Sequence, residues 1–89
     1  MRKRDNQEKL LKSLSLIEST LKTYTIPKSI KNSLKEILTI LNDEKSGEIS
    51  VRVANAISLL ENMTQNHHIQ SHIRTNLWQI ISTLESIRE

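Results

Sequence analysis

The chain has 89 residues, which suits one small domain with a single core and leaves no room for a separate catalytic domain. It has no cysteine, which excludes disulfides, thiolate catalysis and cysteine-ligated zinc, and its single glycine and single proline favour long helices over an all-β fold. The net charge of +3 is uneven, with nine Lys/Arg against three acids in residues 1–35 and four against seven in residues 36–89.

The first helix is predicted over about residues 6–23, because apolar side chains recur there at helical spacing. Its apolar stripe consists of Leu10, Leu14, Ile17 and Leu21, widened by Leu11. Residues 24–27 break the pattern, and Pro27 suits the first turn of a second helix, where its missing N–H costs nothing.

The second helix carries its own apolar stripe and ends near a polar linker at residues 42–47, which holds the only glycine. That stripe consists of Ile30, Leu34, Ile37, Leu38 and Leu41. A third helix uses Val53, Ile57 and Leu60, with Ala54, Ala56 and Met63 beside them. Residues 65–68 end it. The fourth helix has the most regular pattern, with Ile73, Leu77, Ile80, Ile81, Leu84 and Ile87 on one side.

An internal repeat with an offset of 43 residues relates the two halves of the chain without a gap. Apolar positions match throughout, as in Ile30 with Ile73 and Leu34 with Leu77. The pairs Ser15/Ser58 and Glu18/Glu61 match outside the stripes, which argues against coincidence. The repeat indicates two tandem αα-hairpins.

The predicted fold is therefore an all-α, up-and-down four-helix bundle in a single domain, residues 1–89. Hairpin one covers about residues 6–43, and hairpin two covers about residues 48–88. Residues 44–47 form the linker between them. A solenoid would leave both of its ends uncapped with only two units. Leu16, Leu59 and Ile40 lie off their stripes. They either widen the core contact or form an apolar seam for a second copy of the protein.

Catalytic and metal sites are not predicted. His68 and His72 have i, i+4 spacing, but His67 and His68 fall in a loop and no third ligand is evident. Hydroxyl side chains lack a glycine-flanked sharp turn, the acids form no paired constellation, and one glycine cannot build a phosphate loop. We expect a protein that is not an enzyme and binds no cofactor, metal ion or small-molecule substrate.

One candidate binding surface is centred on Trp78, which points away from the apolar stripe of the fourth helix. Arg74, Ser82 and Glu85 lie one or two turns from it on the same flank. Tryptophan and arginine are enriched in binding hot spots, so these four residues are predicted to contact a protein partner or a second copy. The alternative is that Trp78 covers the edge of the bundle.

A second candidate surface is basic. Lys28, Lys31 and Lys35 recur at i, i+3, i+7 on the second helix. Arg2, Lys3, Arg4, Lys9 and Lys12 of the N-terminal segment could extend this stripe. Phosphate backbones bind such stripes, which would make the protein RNA- or ribosome-associated. No aromatic residues are interleaved for base stacking, and solvated lysines give the same pattern.

Several segments resemble a family of small archaeal proteins of unassigned function. They are VRVANAI at residues 51–57, HxRTxxWxxxSxLE at residues 72–85 and IPKxIK at residues 26–31. The resemblance implies a four-helix bundle and an archaeal, cytoplasmic protein, without implying an activity. This chain departs from the family pattern at Gln70, where the family usually has proline, and in its basic N-terminal segment.

Sequence features agree with a cytoplasmic protein that does not associate with membranes. No apolar run approaches the ~18–20 residues that span a bilayer. The charged N-terminus lacks the apolar region of a signal peptide.

Overall fold

The computed structural model describes residues 2–23, 25–66 and 69–87, without the side chains of residues 2–5, 23 and 46. This part of the chain forms four α-helices: α1 (Arg2–Thr23), α2 (Lys28–Asn42), α3 (Ile49–Thr64) and α4 (Ser71–Glu85). The predicted all-α fold is confirmed, and α1 begins earlier than the apolar stripe indicated.

Helices α2 and α4 begin in the same way, as the repeat requires. Pro27 precedes α2 with φ −55° and ψ 146°, and Gln70 precedes α4 with φ −66° and ψ 149°. The carbonyl of each accepts a hydrogen bond from the fourth residue after it, Lys31 and Arg74, at 3.0 Å in both cases. Gln70 therefore adopts the backbone conformation that proline imposes.

The linker between the hairpins is ordered by short-range contacts. A side-chain oxygen of Asp43 accepts a hydrogen bond from the Lys45 amide at 3.0 Å, and Glu44–Ser46 form a 3₁₀ turn. Gly47 follows with φ 129° and ψ −172°, a conformation that side chains disfavour. The only glycine of the chain thus lies where the backbone needs it.

The helices pack as a closed ring, with α1 and α3 each lying against both α2 and α4. Since short loops join successive helices, neighbours run in opposite directions, and the chain forms an up-and-down bundle measuring 39 × 21 × 21 Å. One hydrophobic core contains residues from all four helices.

The apolar stripes of α2 and α4 form most of that core. Repeat-related side chains are buried at the same positions in both helices. These are Ile30, Leu34, Ile37 and Leu41 in α2, and Ile73, Leu77, Ile80 and Leu84 in α4. Ile81 is buried as well, whereas its counterpart Leu38 is only partly buried.

The face that α1 turns to the core is more polar than its apolar stripe predicted. Ile17 is fully buried, together with Ser13 and Thr20. The two hydroxyls donate to the carbonyls of Lys9 and Leu16, four residues earlier, at 2.9 and 2.8 Å. These hydrogen bonds satisfy the hydroxyl donors inside the core.

The prediction that Leu11 widens the apolar stripe of α1 is wrong. Leu11 is 62% exposed. It lies six residues before Ile17 and is therefore turned about 120° from that buried residue around the helix axis. Ala54 of α3, the repeat counterpart of Leu11, was also predicted beside the apolar stripe. It is exposed as well, whereas Ala56 is buried.

Among the described residues, none of the helices has the length and hydropathy that a bilayer crossing requires.

Candidate interaction site between helices α1 and α4

Trp78 lies in the middle of α4 with 47% of its side chain exposed. Its neighbour Leu77 belongs to the core and is fully buried. Among large hydrophobic side chains in the described ranges, only Leu11 and Val51 are as prominent on the surface. The indole is thus presented to solvent from a helix that the core holds in place.

A shallow groove of about 470 Å³ runs between α1 and α4 beside this tryptophan. We call it the α1–α4 groove. Its lining residues are Lys12, Leu16, Thr75, Trp78, Gln79, Ser82 and Thr83.

The α1–α4 groove combines an apolar floor with a polar rim. Leu16 and Trp78 supply the apolar surface, and hydroxyl and amide side chains surround them. Lys12 is the only charged residue among those lining it. The described lining contains neither a histidine nor a carboxylate. It is suited to holding an apolar side chain and an anion.

Two of the four predicted partner-binding residues, Trp78 and Ser82, meet in this groove. Glu85 is the last residue of α4 and is exposed, without lining the groove. Arg74 faces a different neighbour. Its Nε donates to the carbonyl of Thr64 and its Nη2 to the carbonyl of Asn66, both at 3.0 Å.

Arg74 therefore holds the C-terminal end of α3. The last carbonyls of a helix lack partners within the helix and carry its partial negative charge, so a guanidinium is favourable there. This side chain is half-buried, and its role in the fold is clear from its hydrogen bonds.

Two other basic residues act in the same way, and they are related by the repeat. Arg52 of α3 donates from Nη1 to the carbonyl of Leu41 at 2.7 Å, near the end of α2. Lys9 of α1 donates from Nζ to the carbonyl of Ser86 at 2.9 Å, just after α4. The α2–α3 and α4–α1 contacts are thus built alike, as expected for two equivalent hairpins facing each other.

The equivalent surface between α2 and α3 holds a smaller groove, of about 270 Å³, which we call the α2–α3 groove. Leu59 lines it, as its repeat counterpart Leu16 lines the α1–α4 groove. Both leucines are also packed against the core. The off-stripe leucines therefore widen the core contact and at the same time form the floors of two related grooves.

The two grooves differ in charge. Glu36 lines the α2–α3 groove, and Gln79 takes the equivalent position in the α1–α4 groove. Conversely, Lys12 lines the α1–α4 groove, and its repeat counterpart is the neutral Asn55. The two grooves therefore share a leucine floor but differ in volume and in charge.

The predicted basic surface lies on α2, and the prediction that Lys9 and Lys12 extend it is wrong, because both lie toward α4. Lys28, Lys31 and Lys35 are all exposed on α2. The backbone of residues 2–4 belongs to α1, but the side chains of Arg2, Lys3 and Arg4 are outside the described part. Helices α2 and α4 lie across the ring from each other, so this stripe and Trp78 belong to separate surfaces.

Of the three histidines, His72 is exposed at the start of α4. His67 and His68 lie outside the described residues. Within those residues, no group of three or more metal-ligating side chains comes together.

The sequence analysis missed the contribution of α1 to the candidate site. Lys12 and Leu16 meet Trp78 only because α1 and α4 are neighbours in the closed ring. Leu16 was detectable as an apolar residue off its stripe with a matching partner at Leu59. Nothing in the local pattern distinguishes Lys12 from the other exposed lysines.

Comparison with known proteins gives a consistent result. The model of an uncharacterised protein family, UPF0147, matches residues 1–87. A UPF0147 protein of Methanosarcina mazei is 34% identical over 87 residues, covering 98% of this chain and 92% of that protein. One from Aeropyrum pernix is 33% identical over 85 residues, covering 96% and 92%.

Solved structures show the same fold. A crystal structure of a UPF0147 protein from Thermoplasma acidophilum has a TM-score of 0.86 and 25% identity, covering 96% of this chain and 99% of that one. The crystal structure of MMP1188, a protein of unknown function, has a TM-score of 0.85 and 30% identity, with 93% of each chain covered. The resemblance predicted from the sequence is confirmed, and the chain belongs to the uncharacterised protein family UPF0147.

Proposed function

We propose that this protein is a non-catalytic interaction module of the cytoplasm that binds a protein partner, or a second copy, through the α1–α4 groove. The observation that carries the proposal is the half-exposed Trp78 beside that groove. Exposing so large an apolar side chain does not help a monomer fold, whereas a partner that covers it gains apolar burial.

The placement of Trp78 supports this role. It lies on a helix whose core side is buried, so the backbone that carries the indole is held in position before a partner arrives. Preorganisation of this kind reduces the entropic cost of binding. A central tryptophan of an interface typically contributes about 2–4 kcal/mol when truncated to alanine. Ser82 and Thr83 beside it offer hydroxyls for the polar rim of such an interface.

The test compares Trp78→Ala with Leu11→Ala. Both changes remove a large exposed side chain, but Leu11 does not line the groove. Tagged proteins are purified from native cells and their bound proteins quantified, while sedimentation shows whether the partner is a second copy. We expect Trp78→Ala to lose the partner at least tenfold and Leu11→Ala to retain it. Equal retention by both variants contradicts the proposal.

The alternative function, binding of RNA or the ribosome, is favoured by the three exposed lysines on one stripe of α2. Such binding weakens with salt because each phosphate contact releases a counterion. Replacing Lys28, Lys31 and Lys35 with glutamine should then reduce the slope of log K against log salt by about 2 for single-stranded RNA. Binding without a steep salt dependence, or none, rules this alternative out.

A further inference from the structure

We infer that the segment recognised by the α1–α4 groove is an amphipathic helix with acidic residues beside its apolar stripe. The inference rests on the proposed function and adds the chemistry of the partner.

The shape of the groove suits a helix. The lining residues of α4 extend from Thr75 to Thr83, a rise of about 12 Å, or roughly two turns of a bound helix. The groove lies between two neighbouring helices, α1 and α4. The ridge of side chains along a third helix fits into a groove of this kind. Recognition in such a groove uses apolar anchors at i, i+3 or i+4 and i+7. Leu16 and Trp78 provide the apolar floor that those anchors need.

The charge of the groove selects acidic residues. Lys12 is exposed and is the only charged residue in the lining. One turn earlier on α1, Lys9 is occupied with the carbonyl of Ser86, which ties the end of α4 to α1 near the groove. Glu8 is exposed on α1 but does not line the groove. A carboxylate flanking the partner's apolar stripe therefore meets Lys12 and gains a charge-assisted contact.

The α2–α3 groove shows how such a partner is directed to one side of the bundle. It has a related leucine floor, but its charged lining residue is Glu36. A helix with acidic flanks is repelled there and attracted at Lys12, so both the charge and the smaller volume of the α2–α3 groove disfavour it. Repulsion at the wrong site is a common source of specificity.

The experiment selects binders from a displayed library of 20-residue helical peptides. The apolar stripe of each peptide is fixed as leucine, and the flanking positions are randomised among Glu, Lys and Gln. The full-length protein is the bait. Selected peptides are then titrated against it by fluorescence, because Trp78 is the only tryptophan of the chain and reports directly on the groove.

We expect the selected peptides to be enriched in Glu at the flanking positions and to shift the Trp78 emission to shorter wavelength. Lys12→Glu should weaken their binding at least tenfold. The matched control, Lys22→Glu, reverses another exposed lysine of α1 that lines neither groove and should change binding less than twofold.

The outcomes separate this inference from the proposed function. Peptides enriched in Lys or Gln that still shift the emission and no longer bind Trp78→Ala contradict the acidic partner and retain the groove as a binding site. Selection of no binders, or of binders that Trp78→Ala retains at full affinity, contradicts the acidic helical partner, whereas the proposed function fails only when Trp78→Ala and Leu11→Ala retain the cellular partner equally.

Discussion

At the scale of single residues, Arg74 shows why a surface arginine can matter more for stability than the tryptophan one turn after it. Its two hydrogen bonds reach the end of α3 and the loop that follows. Trp78 is 47% exposed, so only about half of its surface is buried in the fold. Sequence position alone puts both residues on one flank of α4, whereas in the structure Arg74 bonds to the end of α3 and Trp78 lies beside the α1–α4 groove.

Replacement of Arg74 with alanine should therefore destabilise the protein. Hydrogen bonds to charged groups contribute about 1.5–3 kcal/mol, and the carbonyls of Thr64 and Asn66 would lose the guanidinium donor. We expect a decrease of roughly that size in the free energy of unfolding, measured by urea denaturation. Arg74→Lys, which keeps the charge but not the forked geometry, should recover part of it. An unchanged midpoint in Arg74→Ala would show that the cap is not stabilising.

At the scale of elements, the repeat explains why α2 and α4 begin alike and identifies a site for stabilisation. Gln70 and Pro27 occupy equivalent positions and have nearly the same φ and ψ. Proline at position 70 would restrict the unfolded chain without straining the folded one.

Gln70→Pro should raise the free energy of unfolding by about 0.4–1 kcal/mol. For a domain of this size, that corresponds to an increase of roughly 2–8 °C in the melting temperature, measured by calorimetry. The control is Gln70→Ala, which lacks the ring and should give little increase. A lower melting temperature for Gln70→Pro would mean that the residues before α4 cannot accept the ring.

The linker provides the opposite case, because Gly47 has a backbone conformation that alanine disfavours. A Cβ atom there would lie 3.6 Å from Val51, an ordinary contact, so the cost is conformational rather than steric. Gly47→Ala should destabilise the protein by about 1–3 kcal/mol. The neighbouring Glu48 makes no side-chain capping bond to α3, so Glu48→Ala is a suitable control that should change stability little. Thermal unfolding followed by circular dichroism compares the two, and equal midpoints would contradict the prediction.

The helices and the fold could be predicted from the sequence because apolar periodicity is a local signal. The stripe of α4, from Ile73 to Leu84, is buried as expected. The face that α1 turns to the core was less predictable, since neighbouring helices decide it and Ser13 is buried while Leu11 is not. The candidate groove joins residues more than sixty positions apart, and no local pattern contains that information.

At the scale of the whole molecule, charge and apolar exposure divide the surface into distinct regions. The lysine stripe belongs to α2, and the α1–α4 groove lies between two other elements of the ring, α4 and α1. A protein ligand on the groove would leave the lysines accessible. The two functions considered for this protein are therefore not mutually exclusive on steric grounds.

The bond from Lys9 to the carbonyl of Ser86 has a consequence for the order of the hairpins along the chain. It joins α1, about two turns after its start, to the end of α4, just as Arg52 and Leu41 join α3 to α2. The contacts between the hairpins should therefore be the same whichever hairpin comes first in the chain. A circular permutant that begins at Glu48 and joins residue 87 to residue 6 through a short flexible linker should fold to the same bundle. Retained helical circular dichroism and cooperative melting would show this, and a molten or aggregated permutant would mean that chain order matters after all.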